Sequence, residues 1–128
     1  MTRPKLISLI AATVLADQLS KVAALSLLSQ GTAVPVLPGF NLALGFNEGA
    51  SFGMMGGVMA GKPLLMATLT GALALVFAFM ALRAQHPLER AGFALVVGGA
   101  LGNILDRMRQ GAVTDFLDLY WRDWHWPT

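Results

Sequence analysis

The fold of this protein is decided by the stretch Gly98–Arg107, which reads GGALGNILDR. The stretch begins as an apolar, glycine-rich segment of the kind found in membrane helices and ends in an amide and a charged pair. A further aspartate, Asp115, follows in the run MRQGAVTDF. Ionisable groups at membrane depth are costly to bury and are usually functional. The polar end of this stretch is therefore a candidate functional site.

The composition indicates an integral membrane protein. Of the 128 residues, 55% are hydrophobic and only 12% are charged, with a mean hydropathy of +0.62, whereas soluble domains carry about 25% charged residues. A net charge of +2, without a basic stripe interleaved with aromatic residues, argues against a nucleic-acid partner. Because the sequence has no cysteine, disulfides, thiolate metal sites and a cysteine nucleophile are excluded.

Three segments are long and apolar enough to be predicted as transmembrane helices, at about residues 6–28, 63–82 and 91–107. The first resembles a cleaved signal peptide, but Asp17 and Lys21 interrupt it and no small-x-small cleavage site follows, so we expect it to be retained. In the third segment, Gly98 and Gly102 form a small-xxx-small pair, which lets another helix approach closely.

Asp17 and Lys21 are the ionisable groups inside the first segment. They are four residues apart, so they share one helix face and can pair. One interpretation is a pair that snorkels to the membrane surface near a helix end. The other is a polar face turned toward a site, which we favour because Asp17 lies well inside the apolar stretch.

The distribution of basic residues predicts the orientation. Residues 29–61 contain no Lys or Arg, whereas Arg3, Lys5, Arg83 and Arg90 flank the other side. The positive-inside rule then places the N-terminus and the loop 83–90 in the cytoplasm, and residues 29–62 and 108–128 outside it. The candidate polar residues consequently fall on one membrane face: Asp17, Asn47, Asn103, Asp106 and Asp115.

The two outer segments contain loosely alternating runs that predict short strands, at 34–46 and 112–121. Alternation places Asp115 on the more apolar side of the second run, where a charged residue does not contribute to apolar packing. It places Asp118 on the opposite side.

Other residues are expected at the membrane surface or in solvent. Residues 54–60 are apolar and are expected at the membrane interface. The tryptophans at the end of the sequence are typical of an aromatic belt at a membrane surface. His86, in the proline-broken loop, is expected to be solvated.

Carboxylate chemistry is the mechanism that remains when the other catalytic motifs are considered. Motifs for zinc proteases and phosphate-binding loops are absent, and Ser20 and Lys21 are adjacent, so they cannot face each other on a helix. Ser51 with Lys62 remains a conceivable nucleophile and base. Two aspartates that share one proton can activate a water and protonate a leaving amine. A structural alternative is that Asp106 and Arg107 cap the helix end and pair with neighbours.

Four motifs in order resemble the lipoprotein signal peptidases, or signal peptidase II. They are DQLSK at 17–21, NEGASFG at 47–53, GNILDR at 102–107 and VTDF at 113–116. Each motif is short, but their order and spacing across membrane segments are specific, and the resemblance covers essentially the whole sequence.

The resemblance implies a bacterial inner-membrane aspartic peptidase with its active site on the extracytoplasmic side. Such an enzyme cuts the signal peptide from diacylglyceryl-modified prolipoproteins before the lipidated cysteine, needs no cofactor or metal, and is inhibited by the lipopeptide globomycin. The implied fold is all-α and polytopic, with four transmembrane helices, of which three are present here, and a small extracytoplasmic β-cradle. Asp115 matches one catalytic aspartate. The matching support residues are Asp17, Lys21, Asn47, Asn103, Asp106 and Arg107.

One departure concerns the second catalytic aspartate, which the family pattern places beyond Thr128 together with a fourth helix. Asp118 and Asp123 do not match it. We therefore expect the 128-residue chain to be truncated, inactive by itself and reduced in stability, with Gly98 and Gly102 left facing lipid. The alternatives are a non-enzymatic membrane protein, such as a transporter subunit or scaffold, that uses buried polar groups for packing or ion binding, and a Ser/Lys membrane peptidase.

Overall fold

The computed structural model describes residues 1–48 and 62–125. Its helices are α1 (Arg3–Leu27), α2 (Pro63–Arg83) and α3 (Pro87–Gln110). Its strands are β1 (Val34–Leu37), β2 (Phe40–Asn47), β3 (Val113–Trp121) and β4 (Trp124–His125). The predictions for Ser51, for residues 54–60 and for Trp126 lie outside the described residues.

All three helices are able to cross a bilayer. They contain 25, 21 and 24 residues and are apolar over most of their length. At about 1.5 Å per residue, even α2 matches the roughly 30 Å hydrocarbon core. Each helix has a proline in its first turn, where the missing N–H costs nothing. The prediction of three membrane helices with a small sheet is confirmed for the described part of the chain.

The third helix is longer than the predicted 91–107. Its N-cap is His86, whose Nδ1 accepts a hydrogen bond from the Leu88 N–H at 3.2 Å, so the predicted loop 83–90 shrinks to a short turn around an exposed His86. The helix ends where Gly111 adopts a left-handed conformation (φ 82°) and its N–H bonds the Arg107 carbonyl. Asp106 and Arg107 thus lie inside the helix, and the interpretation that they cap its end is wrong.

Helix α3 packs against both α1 and α2. Gly98 and Gly102 are buried on the side facing α1. A Cβ at Gly98 would lie 2.5 Å from Cβ of Thr13, and one at Gly102 would collide with the Asp17 carboxylate. The glycine pair therefore permits close helix packing, as predicted, and the expectation that it would face lipid is wrong.

At the other end of the helices, Arg90 joins the N-terminus to the α2–α3 turn. Its guanidinium donates to the carbonyl oxygens of Met1, Leu82 and Ala84. Nearby, Leu6, Ala81 and Ala94 form a small buried apolar cluster. The start of α1 and the α2–α3 turn thus lie at the same end of the molecule.

The four strands form one antiparallel sheet in the order β1-β2-β3-β4. Strand β3 follows α3 after only Gly111 and Ala112, so the sheet is attached directly to the end of the central helix. The register between β2 and β3 shifts between Leu42 and Gly45, next to the pair Gly45 and Asp115. Such bulges locally re-aim side chains and are common beside active sites.

Candidate active site

A cavity of about 460 Å³ lies where α1, α2 and α3 meet β2 and β3. The structure brings to it six of the seven site residues expected from sequence: Asp17, Lys21, Asn47, Asn103, Arg107 and Asp115. The seventh, Asp106, does not line the cavity but lies behind its wall with no exposed surface. The apolar side of the cavity is formed by Met66, Val113, Phe116 and Leu117.

Lys21 is the centre of a buried ionic network. Its Nζ lies 2.8 Å from Asp17 Oδ2 and 2.9 Å from Asp106 Oδ2, and it donates to Asn103 Oδ1 at 2.9 Å. The residue is only 5% exposed, so the snorkelling interpretation is wrong. An ammonium group has three donors and no acceptor. Because these three acceptors match them, Lys21 holds the site together rather than accepting a proton.

Asp106 connects three elements of the fold. Besides Lys21 of α1, its carboxylate accepts hydrogen bonds from Gln18 Nε2 at 3.1 Å, Arg109 Nη2 at 3.3 Å and the backbone N–H of Thr114 at 3.1 Å. A buried charge is tolerated when it is paired and its remaining lone pairs are satisfied. The Asp106 carboxylate therefore ties α1 and the start of β3 to α3.

Asp115 lines the cavity from β3, where it pairs with Gly45 of β2. It is partly exposed, and its Oδ1 accepts the backbone N–H of Leu117 at 3.2 Å. Asp118 belongs to a different cluster: its Oδ2 accepts from Asn41 Nδ2 at 3.3 Å, and its Oδ1 lies 2.6 Å from His125 Nδ1. Asp118 does not line the cavity, so Asp115 is the carboxylate that β3 presents there.

The similarity to known proteins agrees with this geometry. Residues 9–128 match the family model of signal peptidase (SPase) II. This chain belongs to the signal peptidase II family. It is similar to the lipoprotein signal peptidase of Polynucleobacter necessarius subsp. necessarius, with 41% identity over 114 residues, 88% of this chain and 70% of the relative. With the lipoprotein signal peptidase of Syntrophotalea carbinolica, the identity is 39% over 96% of this chain and 78% of the relative.

Two solved structures described as bacterial membrane enzymes, both obtained by the in meso method, share the fold. The one at 2.3 Å resolution superposes with a TM-score of 0.80 at 23% identity, covering 98% of this chain and 76% of the other. The one at 1.9 Å gives a TM-score of 0.74 at 26% identity, covering 92% and 76%. Because the family model matches residues 9–128, this chain is a protease of a bacterial multi-pass membrane family, and the interpretation as a non-enzymatic scaffold is wrong.

The Ser/Lys alternative finds no support in the described part of this signal peptidase II chain. Ser20 donates its hydroxyl to the Asp17 carbonyl oxygen at 2.9 Å, while Lys21 is engaged by carboxylates. Ser51 lies outside the described residues. Within residues 1–48 and 62–125, no cluster of three His, Asp or Glu side chains is arranged to hold a metal ion.

Sequence reasoning missed several residues that support the site. Gln18 donates to Asp17 Oδ2 at 2.9 Å and to the Gly102 carbonyl oxygen at 3.1 Å, and accepts from Arg109 Nη1 at 3.3 Å. Its position inside the DQLSK motif was a usable signal. The contact of Gln110 with Thr114 crosses from helix to strand, and no periodicity within either segment indicates it.

Proposed function

We propose that this signal peptidase II removes signal peptides from diacylglyceryl-modified prolipoproteins by aspartic endopeptidase chemistry, cutting before the lipidated cysteine. The observation that carries the proposal is the Asp115 carboxylate, which lines a 460 Å³ cavity beside the buried Lys21 network in a chain of this family. Its relatives are lipoprotein signal peptidases.

Asp115 supplies one of two carboxylates that share a proton, because two like charges a few Å apart cannot both ionise. The ionised carboxylate takes a proton from a water molecule, and the resulting hydroxyl adds to the carbonyl carbon of the scissile peptide bond. As the C–N bond breaks, the protonated carboxylate gives its proton to the departing amine. The resemblance assigns the second carboxylate to neither Asp118 nor Asp123.

The remaining site residues divide into a framework and a binding surface. Asp17, Lys21 and Asp106 form the framework, since their ion pairs hold α1 against α3 at the cavity. Asn47, Asn103 and Arg107 line the cavity with amide and guanidinium groups, which suit the polar backbone of a peptide substrate. The apolar wall of the cavity suits the lipid-modified end of the prolipoprotein.

The cavity lies at the end of the helices remote from the basic residues of the N-terminus and the α2–α3 turn. Arg90 contacts the Met1 carbonyl oxygen there, and Arg3, Lys5 and Arg83 belong to the same end. The positive-inside rule assigns that end to the cytoplasm. We infer that the active site opens on the extracytoplasmic side of the bacterial inner membrane.

The test is cleavage of a diacylglyceryl-modified prolipoprotein by reconstituted protein. The assay uses an extended protein, in which residues 1–128 are followed by the C-terminal segment of the Syntrophotalea carbinolica relative. By the family pattern, that segment is expected to supply the second aspartate. Asp115→Asn should lower cleavage by at least about 1,000-fold while the fold persists, whereas Asp123→Asn, in the exposed β3–β4 turn, should cleave normally.

An inhibitor adds a second arm to this test. Globomycin should block cleavage by the extended protein, because the resemblance implies an enzyme that this lipopeptide inhibits. Normal cleavage by the Asp115→Asn variant would refute the assignment of Asp115, and cleavage that is insensitive to globomycin would refute the proposed enzyme class.

A further inference from the structure

We infer that Gln110 and Thr114 are positioning residues for Asp115: the Gln110 amide holds the Thr114 hydroxyl and so sets where the neighbouring carboxylate stands in the cavity. This inference rests on the proposed catalytic role of Asp115. It extends that role to two side chains that meet across the helix-to-strand junction.

The junction is short and sharply turned. Helix α3 ends at Gln110, Gly111 reverses the chain in the left-handed conformation, and β3 begins at Val113. Glycine suits this conformation because it has no Cβ to clash. With so few residues between helix and strand, any shift at the end of α3 is passed directly to the first residues of β3.

The Gln110 side chain bridges this junction. Its Nε2 donates to the Ala112 carbonyl oxygen at 2.8 Å and to Thr114 Oγ1 at 2.7 Å. A primary amide nitrogen has two N–H donors, so both are used. One side chain therefore fixes the connecting residues and the beginning of the strand at the same time.

Thr114 is held from α3 at two points. It is only 2% exposed; its backbone N–H donates to Asp106 Oδ2 at 3.1 Å, and its hydroxyl accepts from Gln110. Asp106 and Gln110 are four residues apart, so they share one face of α3. Loss of the Gln110 donor would remove a hydrogen bond from a buried hydroxyl, and burying a polar group without a compensating hydrogen bond is unfavourable. Gln110 and Asp106 thus act as two adjacent anchors for one strand residue.

The neighbouring strand β2 holds β3 in regular register up to Asp115 and less regularly after it. Val113, Thr114 and Asp115 pair with Asn47, Phe46 and Gly45, and a bulge then interrupts the ladder before Leu117 pairs with Leu42. Asp115 is therefore the last residue of the regular stretch, and the anchors from α3 act on it through Thr114, one peptide bond away. A misplacement of a reacting group by about 1 Å can reduce the rate by roughly a hundredfold.

Four variants of the extended protein test this inference. Thr114→Val keeps the side-chain shape and removes the hydroxyl, Thr114→Ser keeps the hydroxyl, and Gln110→Ala removes the donor. The fourth variant combines Thr114→Val with Gln110→Ala. The measurements are kcat and KM for cleavage of the lipid-modified precursor, together with the melting temperature in detergent.

Matched controls separate positioning from general stability. Thr68→Val removes a hydroxyl that donates to the Leu64 carbonyl oxygen within its own helix, and Gln85→Ala replaces an exposed glutamine of the α2–α3 turn. Leu6→Ala weakens the apolar cluster at the opposite end of the helices. It lowers the melting temperature without touching the junction, so it reports what a loss of stability alone does to kcat.

We expect Thr114→Val and Gln110→Ala each to lower kcat by about tenfold, which corresponds to about 1.4 kcal/mol, with KM little changed. Thr114→Ser should restore most of the rate. The double variant should be no slower than the slower single variant, because both changes break the same contact. The Thr68, Gln85 and Leu6 variants should keep the parental kcat.

Parental kcat in both Thr114→Val and Gln110→Ala would overturn the inference, as would losses that Leu6→Ala reproduces. If Thr114→Val does not fold, the exposed Gln110 side chain still allows the test with Gln110→Ala. The experiments distinguish failure of the proposed function from failure of the positioning role. An active Asp115→Asn variant refutes the proposed function, whereas an inactive Asp115→Asn with parental Gln110→Ala and Thr114→Val refutes only the positioning role.

Discussion

Lys21 Nζ lies 2.9 Å from Asp106 Oδ2, in a pair whose side chains are 7% and 0% exposed. The pair joins the last third of α1 to the last turns of α3, and Asp17 and Asn103 complete the coordination of the ammonium group. Neither charge can turn to solvent, so each depends on the other. This relationship determines how the two helices meet beneath the cavity.

Removing the cation should destabilise the protein strongly. Lys21→Met leaves Asp106 buried without its principal counter-charge, and breaking such a pair costs about 3–5 kcal/mol. Chemical unfolding in detergent micelles measures the change. Lys5→Met, at an exposed position in the first turn of α1, should unfold like the parent protein. Equal stability of the two variants would show that the network contributes little to folding.

The two carboxylates of the network should differ in importance. Asp106→Asn disturbs a fully buried acceptor, while Asp17 has a side chain that is 20% exposed. We expect Asp106→Asn to lower the free energy of unfolding by about 2 kcal/mol more than Asp17→Asn, because a buried group left unsatisfied costs about 1–3 kcal/mol. Unfolding curves of the two variants, recorded in the same detergent, provide the comparison. A larger loss for Asp17→Asn would contradict the burial argument.

The packing of α1 on α3 can be tested at glycine positions of one helix. A Cβ at Gly102 meets the Asp17 carboxylate, whereas nothing lies within 4 Å of a Cβ at Gly92. Gly102→Ala should therefore destabilise by about 1–3 kcal/mol through overpacking. Gly92→Ala should stabilise by up to about 1 kcal/mol through helix propensity. The melting temperatures of the two variants test these opposite effects on stability. If the Gly102→Ala protein were as stable as the Gly92→Ala protein, α1 would not approach α3 as closely as the structure shows.

Asp118 provides a test of which aspartate is catalytic. Its partner His125 has a side chain that is 53% exposed, and pairs of this kind contribute only about 0–1 kcal/mol. Asp118→Asn should therefore cleave the lipid-modified precursor at nearly the parental rate, since Asp118 does not line the cavity. A loss as large as that of Asp115→Asn would mean that Asp118 belongs to the catalytic pair.

The sequence pattern was sufficient to predict those features of the fold that depend on a single segment. Apolar length predicted the three membrane helices, and the spacing of Asp17 and Lys21 predicted their ion pair, which is 2.8 Å long. Both follow from the regular rise and turn of a helix, which are the same in every context. The motifs around Asn103 and Asp115 were sufficient to indicate the family.

Features that join distant segments required the tertiary structure. Gln18 meets the Gly102 carbonyl oxygen and Asp106 across separations of 84 and 88 residues, and no periodicity within one helix specifies such contacts. The full length of α3 also depended on its ends, where His86 and Gly111 provide the caps. Hydropathy does not detect these caps because they are polar or glycine.

The sequence by itself therefore determined the membrane class, the three membrane helices of the described residues and the residue types available for chemistry, because burial in lipid and helical geometry act locally. Only the tertiary structure decided that Asp106 is a buried anchor while Asp115 reaches the cavity. That distinction arises because the turn at Gly111 brings Thr114 back against Asp106 and leaves the next residue facing the site.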